Sequence, residues 1–321
     1  CAILWFVFHK IYSLTSLGTS GIEAPFYGSL ALMQLAAFGG FGTLSSLFIG
    51  FSAGIAAFWK ERNLSNGIWT LLFAALLFGA YFWGEGRLKM EDRLNFRVAL
   101  IQHNLPISGK WNFENPEGIR KKYRELALEA SKGKPSLIVF PLYNFPGDPS
   151  RKPDFFTALA REIGSHILIA AYIPEKEGGN ISKGFYDTAI LYSPDGKIAG
   201  EYQAVQSPPF RQIFEKTGKE YHLLETPFGK IGVLLCYEDS SPRLARMAVE
   251  KGADILIALS NPGHFTSTHL PYYHLMQDRL RAIETRRFVA RVSANGYSAI
   301  IDPRGKVLKK SALNEEIIEA V

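Results

Sequence analysis

Two long stretches of the chain carry no charged residue: those between Glu23 and Lys60, and those between Arg62 and Glu85. Each exceeds the roughly 20 apolar residues that an α-helix needs to cross the hydrocarbon core of a bilayer. The pattern predicts an apolar block from about Tyr27 to Trp59, interrupted by the Gly-rich run Phe38-Gly39-Gly40-Phe41-Gly42, and a second helix from about Leu64 to Trp83. Tyr81, Phe82 and Trp83 suit an interfacial aromatic belt at its end. Lys60-Glu61-Arg62 forms a short charged turn between the two, and Lys and Arg in such loops favour the cytoplasmic side. The second helix then crosses outward, so the remainder is expected on the outer, periplasm-like face.

Beyond Arg97 the pattern changes to short apolar strands alternating with amphipathic helices. Val98–Gln102, Leu137–Phe140 and Ile167–Ala171 read as strands, with helices over Glu117–Lys132 and Asp154–Ile163 between them. Tyr186–Tyr192, the turn Ser193-Pro-Asp-Gly196 and Lys197–Tyr202 read as an antiparallel hairpin. Ile231–Leu235, Ile255–Leu259, Phe288–Ser293 and Ser298–Asp302 continue the strands, with helices near Pro242–Lys251 and Pro271–Arg286. This alternation predicts a layered α/β domain. The chain therefore divides into membrane helices over residues 1–90, incomplete at the N-terminus, and an α/β domain over residues 91–321.

Composition adds two constraints. With 47% hydrophobic residues the chain is more apolar than most soluble enzymes, and the excess lies in the first ninety residues. The net charge of +6 is spread over intermixed Lys, Arg, Asp and Glu with no basic stripe, which argues against a nucleic-acid partner. The chain opens on Cys1 rather than Met and closes on Ala320-Val321, and we expect sequence beyond both ends. Only two cysteines exist, and Cys1 falls in the membrane part, so Cys236 is expected to be a free thiol serving packing or chemistry. No metal-ligand spacing, phosphate-binding glycine loop or Ser-His-Asp order stands out, and no cofactor is implied.

Cys236 ends an apolar strand in Gly229-Lys-Ile-Gly-Val-Leu-Leu-Cys-Tyr-Glu-Asp239, and Ser240, Ser241 and Pro242 supply the cap of a following helix. A thiol at such a strand-to-helix turn stands at the sheet edge, where a nearby helix N-terminus favours the thiolate. Taken alone, a cysteine there is more often inert packing.

Around it, Leu100-Ile-Gln-His-Asn-Leu-Pro106, Lys110-Trp111, Pro135–Pro141, Tyr192–Lys197, Cys236-Tyr237-Glu238, Gly252–Leu256, Arg281–Glu284, Arg291, Asn295-Gly296 and Ile301–Gly305 follow one another in order. In these pieces the chain resembles the nitrilase, or carbon–nitrogen hydrolase, superfamily and, within it, the apolipoprotein N-acyltransferase family. The resemblance runs from Arg97 to the end. It implies a four-layer αββα sandwich with a catalytic set of Cys, Glu and Lys. Cys236 matches the nucleophile, and Tyr237 and Glu238 match the residues after it. The resemblance further implies transfer of an acyl chain from a phospholipid, through a Cys thioester, to the N-terminal amine of a lipoprotein, at the bacterial inner membrane and without a diffusible cofactor.

Two positions depart from that set. Where the resemblance places the Glu, the chain reads Phe140-Pro141-Leu142-Tyr143, and where it places the Lys, Tyr202-Gln203-Ala204; the Glu of the following Pro-Phe-Gly-Glu stretch is Gln212. Leu142 cannot take a proton and Ala204 carries no charge. A positioned base contributes about 10²–10⁴ in rate and an oxyanion donor about 10²–10³, so both losses slow turnover severely. Candidate stand-ins are Glu238, Glu201, Arg211, His264, His269 and His274. Trp111, Tyr143, Phe145 and Phe210 are candidates for an acyl-chain pocket or for ordinary core. Asp302-Pro-Arg-Gly305 reads most simply as a turn, and Arg281 with Glu284 as an ion pair within a helix. A non-catalytic lipid- or lipoprotein-binding relative is the alternative reading, and a membrane-tethered amidase a third.

Overall fold

The computed structural model of the chain describes residues 4–5, 27–90, 94–105, 115–142, 145, 154–177, 180–207, 215–261, 269–312 and 317–319. The apolar block does break at its glycines. Two short helices, α1 (Leu30–Met33) and α2 (Ala36–Gly39), precede Gly40, whose φ of 72° ends α2 and starts α3 (Phe41–Glu61). Arg62, in the left-handed conformation, closes α3, and the Asn63 side chain accepts the Asn66 N–H at 2.8 Å to open α4 (Leu64–Leu88). At 1.5 Å per residue these helices run about 31 and 37 Å, enough to span a bilayer.

Their apolar side chains stay uncovered. Ile55, Trp59, Leu71, Phe78 and Phe82 are all exposed, and the most apolar stretch of α4 is only 6% buried. A core helix of a soluble domain hides such residues, whereas lipid leaves them solvated in their own medium. α4 approaches both α3 and α1 through small residues. A Cβ on Gly54 would lie 2.7 Å from Thr70 Oγ1, and one on Gly84 only 2.0 Å from the Ala31 carbonyl oxygen of α1.

The remainder is a sandwich of two sheets. The first has the order β13-β1-β2-β3-β4-β5, built from β1 (Val98–Ile101), β2 (Leu137–Leu142), β3 (His166–Glu177), β4 (Asn180–Tyr192), β5 (Ile198–Gln203) and β13 (Ile317–Glu319), with the short β6 (Glu215–Lys216) on β4. The second has the order β12-β11-β10-β9-β8-β7, from β7 (Leu224–Thr226), β8 (Gly229–Leu235), β9 (Ile255–Ser260), β10 (Phe288–Ser293), β11 (Ala299–Ile301) and β12 (Val307–Lys310). β1, β2 and β3 pair in parallel, as do β8, β9 and β10, while the β4–β5 hairpin is antiparallel around Ser193–Lys197.

Side-chain alternation sorts each strand of the first sheet between two layers. Val98, Leu100, Leu137, Val139 and Leu168 join the apolar seam between the sheets. Ala99, Ile101, Ile138, Phe140 and Ile167 instead pack under α5 (Pro116–Ser131) and α6 (Phe155–Ile163). In the second sheet β9 and β10 are buried along their whole length, since α7 (Pro242–Glu250) and α8 (Leu270–Thr285) cover the outer face. The result is the expected four-layer αββα sandwich preceded by transmembrane helices. The membrane part then adds a fifth contact, as Gln34, buried beside α2, reaches the turn at Arg304.

Candidate functional site

β8 runs buried into Leu235, and the chain turns sharply at Cys236, which adopts a φ of 51°. A non-glycine residue held in the left-handed region costs on the order of 1 kcal/mol, a strain that persists only where the surroundings impose it. Cys236 opens a single 3₁₀ turn, Cys236–Ser240, after which Ser241 caps α7 through the Leu244 N–H. The thiol is half-buried at the carboxyl edge of the parallel strands, where ligands of open α/β sheets sit.

Two acidic residues of the turn impose that geometry. The Glu238 carboxylate is fully buried and folds back, accepting from the Leu235 N–H at 2.9 Å, the Tyr202 hydroxyl at 2.9 and 3.0 Å, the Val205 N–H at 2.8 Å and the Gln206 N–H at 3.2 Å. It therefore ties the cysteine turn to the segment that follows β5, the segment carrying Ala204. Burial pushes the Glu238 carboxyl up to about 8, against the pull of these donors. Burial and the facing Glu238 charge raise the Tyr202 hydroxyl far above the usual tyrosine range.

Asp239 faces the other way, into a buried ion network. Its carboxylate meets His274 Nδ1 at 2.6 Å and Arg291 Nη1 at 2.9 Å, and the same Arg291 nitrogen donates to Asp278 at 2.7 Å. Arg291 also donates to Ser260 Oγ and to the Tyr297 carbonyl, which joins β10, β9 and the loop before β11. Burial opposes ionisation of Asp239, but His274 and Arg291 outweigh it and hold the carboxyl below the ordinary range. Asp278, buried beside that like charge, is raised to about 6 despite Arg291. An unpaired charge here would cost several kcal/mol, so each member depends on the others.

The other expected residues distribute as follows. Leu142 and Ala204 are buried, at 0% and 3% exposure, in the same inter-sheet apolar seam against which Cys236 packs. Tyr237 is half-buried, with its carbonyl accepting from Ser240. Glu201 points to solvent, because β5 turns Tyr202 inward and its neighbour outward. His269 is exposed ahead of α8, and His274 is committed to Asp239. Phe145 belongs to the outer core, 5.1 Å from Tyr123 and 4.8 Å from Phe156, not to an acyl pocket. The Arg281–Glu284 ion pair forms at 3.1 Å, and Asp302–Gly305 is a turn. Trp111, Tyr143, Phe210, Arg211, Gln212 and His264 lie outside the described residues. Sequence reading missed the partners Asp239 and Asp278; the signal was Arg291, a charge inside the apolar run Phe288–Ser293.

A strained cysteine at the carboxyl edge of a double-sheet αββα sandwich defines a class, and the chain belongs to the carbon-nitrogen hydrolase family, whose model matches residues 97–321. Within it, the chain is 28% identical to the apolipoprotein N-acyltransferase of Geobacter metallireducens over 77% of its own length and 52% of that protein's. The chain spans about half to three fifths of the length of the curated relatives it matches. Among solved structures, a carbon-nitrogen hydrolase from Helicobacter pylori superposes with a TM-score of 0.59 at 20% identity, over 70% of this chain and 88% of that one. A glutamate-to-leucine mutant of an amidase from Nesterenkonia sp. superposes with a TM-score of 0.57 at 20% identity, over 72% and 92%; its active-site cysteine carries the acetamide moiety of fluoroacetamide.

Proposed function

We propose that the chain is the membrane-anchored carbon-nitrogen hydrolase part of an apolipoprotein N-acyltransferase, with Cys236 as the acyl acceptor and turnover slowed by Leu142 and Ala204. In this reading residues 1–90 form the anchor and residues 91–321 the catalytic domain, held on the periplasmic face of the inner membrane. The Cys236 thiolate attacks the ester carbonyl of a phospholipid. The carbon–sulfur bond forms, the ester carbon–oxygen bond breaks, and the lysophospholipid oxygen takes a proton. The amine of a lipoprotein N-terminus then attacks the thioester, and the thiol is restored. Tyr237 belongs to the site beside the nucleophile, and Glu238 positions the turn through its four donors.

The observation that carries this reading is the strained, half-buried Cys236, kept in place by two buried acidic anchors. An inert packing cysteine requires neither the strain nor the anchors. The amidase mutant bears only on thiol reactivity: with a leucine in place of a glutamate that enzyme's cysteine still displaces fluoride to carry the acetamide moiety, an alkyl adduct and not a thioester. The second reading, a non-catalytic lipid- or lipoprotein-binding relative, is favoured by the buried apolar side chains of Leu142 and Ala204.

Intact-mass measurement of the full chain incubated with phospholipid separates them. We expect a slow acyl adduct on Cys236, absent in Cys236→Ala and faster by on the order of 10²-fold or more in Leu142→Glu/Ala204→Lys. An adduct found only in the restored double variant supports the binding reading, and none in either chain refutes acyl transfer at this site.

A further inference from the structure

At the foot of α4, away from Cys236, the membrane part and the α/β domain enclose a small cleft of about 120 Å³ lined by Arg87, Met90, Arg286, Pro303 and Arg304. Among the described residues, three of its five lining residues are arginines and none is acidic. A second cavity of about 490 Å³ adjoins it, sharing Arg286 and Pro303, and is lined by Arg287, by the acidic Asp254 and by apolar Leu94, Phe96 and Phe288. Like charges converging on one cleft repel one another; Asp302 compensates Arg304 within its own turn, and an anion entering beside Arg87 and Arg286 lowers the repulsion that is left.

The structure shows how each cation is fixed. Arg304 pairs with Asp302 at 3.2 Å within its own turn. Arg286, at the left-handed end of α8, donates to Gln34 at 3.1 Å and to the Pro303 carbonyl at 3.4 Å. Arg87 is different: its guanidinium lies 5.9 Å from the Trp83 ring, and its Nε is buried with no hydrogen-bond partner among the described residues. A buried guanidinium donor without an acceptor is costly, and an incoming anion removes that cost.

Depth in the bilayer selects the anion. Arg87 stands one turn past Tyr81, Phe82 and Trp83, the exposed aromatic residues at the end of α4. That is the level of lipid headgroups, and lipid-facing Leu71, Leu76 and Phe78 lead up to it.

We propose that this arginine cleft binds the phosphate of an anionic phospholipid headgroup, which bridges α4 to the Pro303–Gly305 turn and the end of α8. Guanidinium forks suit phosphate oxygens, and a bound headgroup sets the orientation of the α/β domain over the bilayer. The site is separate from Cys236 and does not depend on acyl transfer there.

The test is lipid retention by the full chain in neutral detergent, read by native mass spectrometry during titration with phosphatidylglycerol, phosphatidylcholine or inorganic phosphate. The expected result is a saturable phosphatidylglycerol adduct, weakened at least about tenfold in Arg87→Gln and less in Arg87→Lys, and weakened by salt. Phosphatidylcholine should bind more weakly, and inorganic phosphate should compete only at large excess. Equal retention of both lipids, or retention indifferent to Arg87 and to salt, overturns the proposal. Inorganic phosphate binding as tightly as the lipid overturns the lipid assignment. Should Arg87→Gln fail to fold, Arg87→Lys and the salt dependence of the unaltered chain still decide.

Discussion

Glu238 shows how one side chain serves the fold around a reactive thiol. Its two oxygens accept from Leu235, Tyr202, Val205 and Gln206, so the carboxylate links three backbone N–H groups and one hydroxyl across two sheets. Because burial raises it from 4.5 to about 8, the folded chain holds a proton there that the unfolded chain has released. Between those two values the folded state binds more protons, so this group makes stability fall as pH rises through that window. The effect is complete above about 8 and absent below about 4.5. Glu238→Gln removes the titration, and its amide brings two N–H donors where the protonated carboxyl brings one O–H, so a donor is left facing donors at a cost of about 1–3 kcal/mol. We therefore expect the variant to be less stable than the parent at pH 5 and the difference to shrink towards pH 9, which thermal unfolding across that range checks. A constant difference would show that Glu238 does not titrate in the folded chain.

At the level of elements, the membrane hairpin depends on backbone contact. The Gly84 Cα faces the Ala31 carbonyl so closely that a methyl would lie 2.0 Å from its oxygen, whereas a methyl on Gly79, five residues earlier, meets nothing within 4 Å. Helix propensity favours alanine over glycine by up to about 1 kcal/mol at both positions. Packing reverses the sign at one: Gly84→Ala should destabilise by about 1–3 kcal/mol, while Gly79→Ala should be neutral or stabilising. Unfolding in detergent measures both, and equal effects would refute the α1–α4 contact. Such contacts mark the limit of what the sequence told. Uncharged runs announced α3 and α4, and short apolar runs announced β1, β2, β8, β9 and β10, since these signals are local. The break at Gly40 followed from the Gly-rich run. The strands β6, β7, β12 and β13 are two to four residues long and polar or edge-placed, too short for a period to register. Cys236 and its neighbours were legible by resemblance. The backward fold of Glu238 was not, because a continued strand and a 3₁₀ turn place that side chain on different faces, and only tertiary donors choose between them. The destination of His274 was hidden for the same reason, its partner Asp239 lying 35 positions away.

In the whole molecule, the membrane part closes the outer face of the sandwich. α8 has a sheet on one side and α2 with Tyr27 on the other, and eleven of its sixteen residues are buried. Polar side chains set the docking: Gln34, with 0% exposure, donates to the Arg304 carbonyl at 2.8 Å and accepts from Arg286 at 3.1 Å. Gln277 donates to the Tyr27 hydroxyl at 3.2 Å, and Arg279 to the Tyr27 carbonyl at 3.4 Å. A buried glutamine between two units is destabilising unless both ends of its amide are satisfied, so its bonds form only when the units are in register. The two parts should accordingly unfold together. Gln34→Ala, though it lies outside the α/β domain, should lower the stability of that domain by about 1–3 kcal/mol. In a double-mutant cycle with Arg286→Ala the coupling should be about 0.5–3 kcal/mol, because one partner's loss already removes their shared bond. Denaturant midpoints of the four chains in one detergent give the value. Coupling near zero, with the α/β domain unaffected by Gln34→Ala, would mean that the membrane helices only tether the domain; a positive value makes them a structural layer through which the bilayer fixes where the Cys236 edge faces.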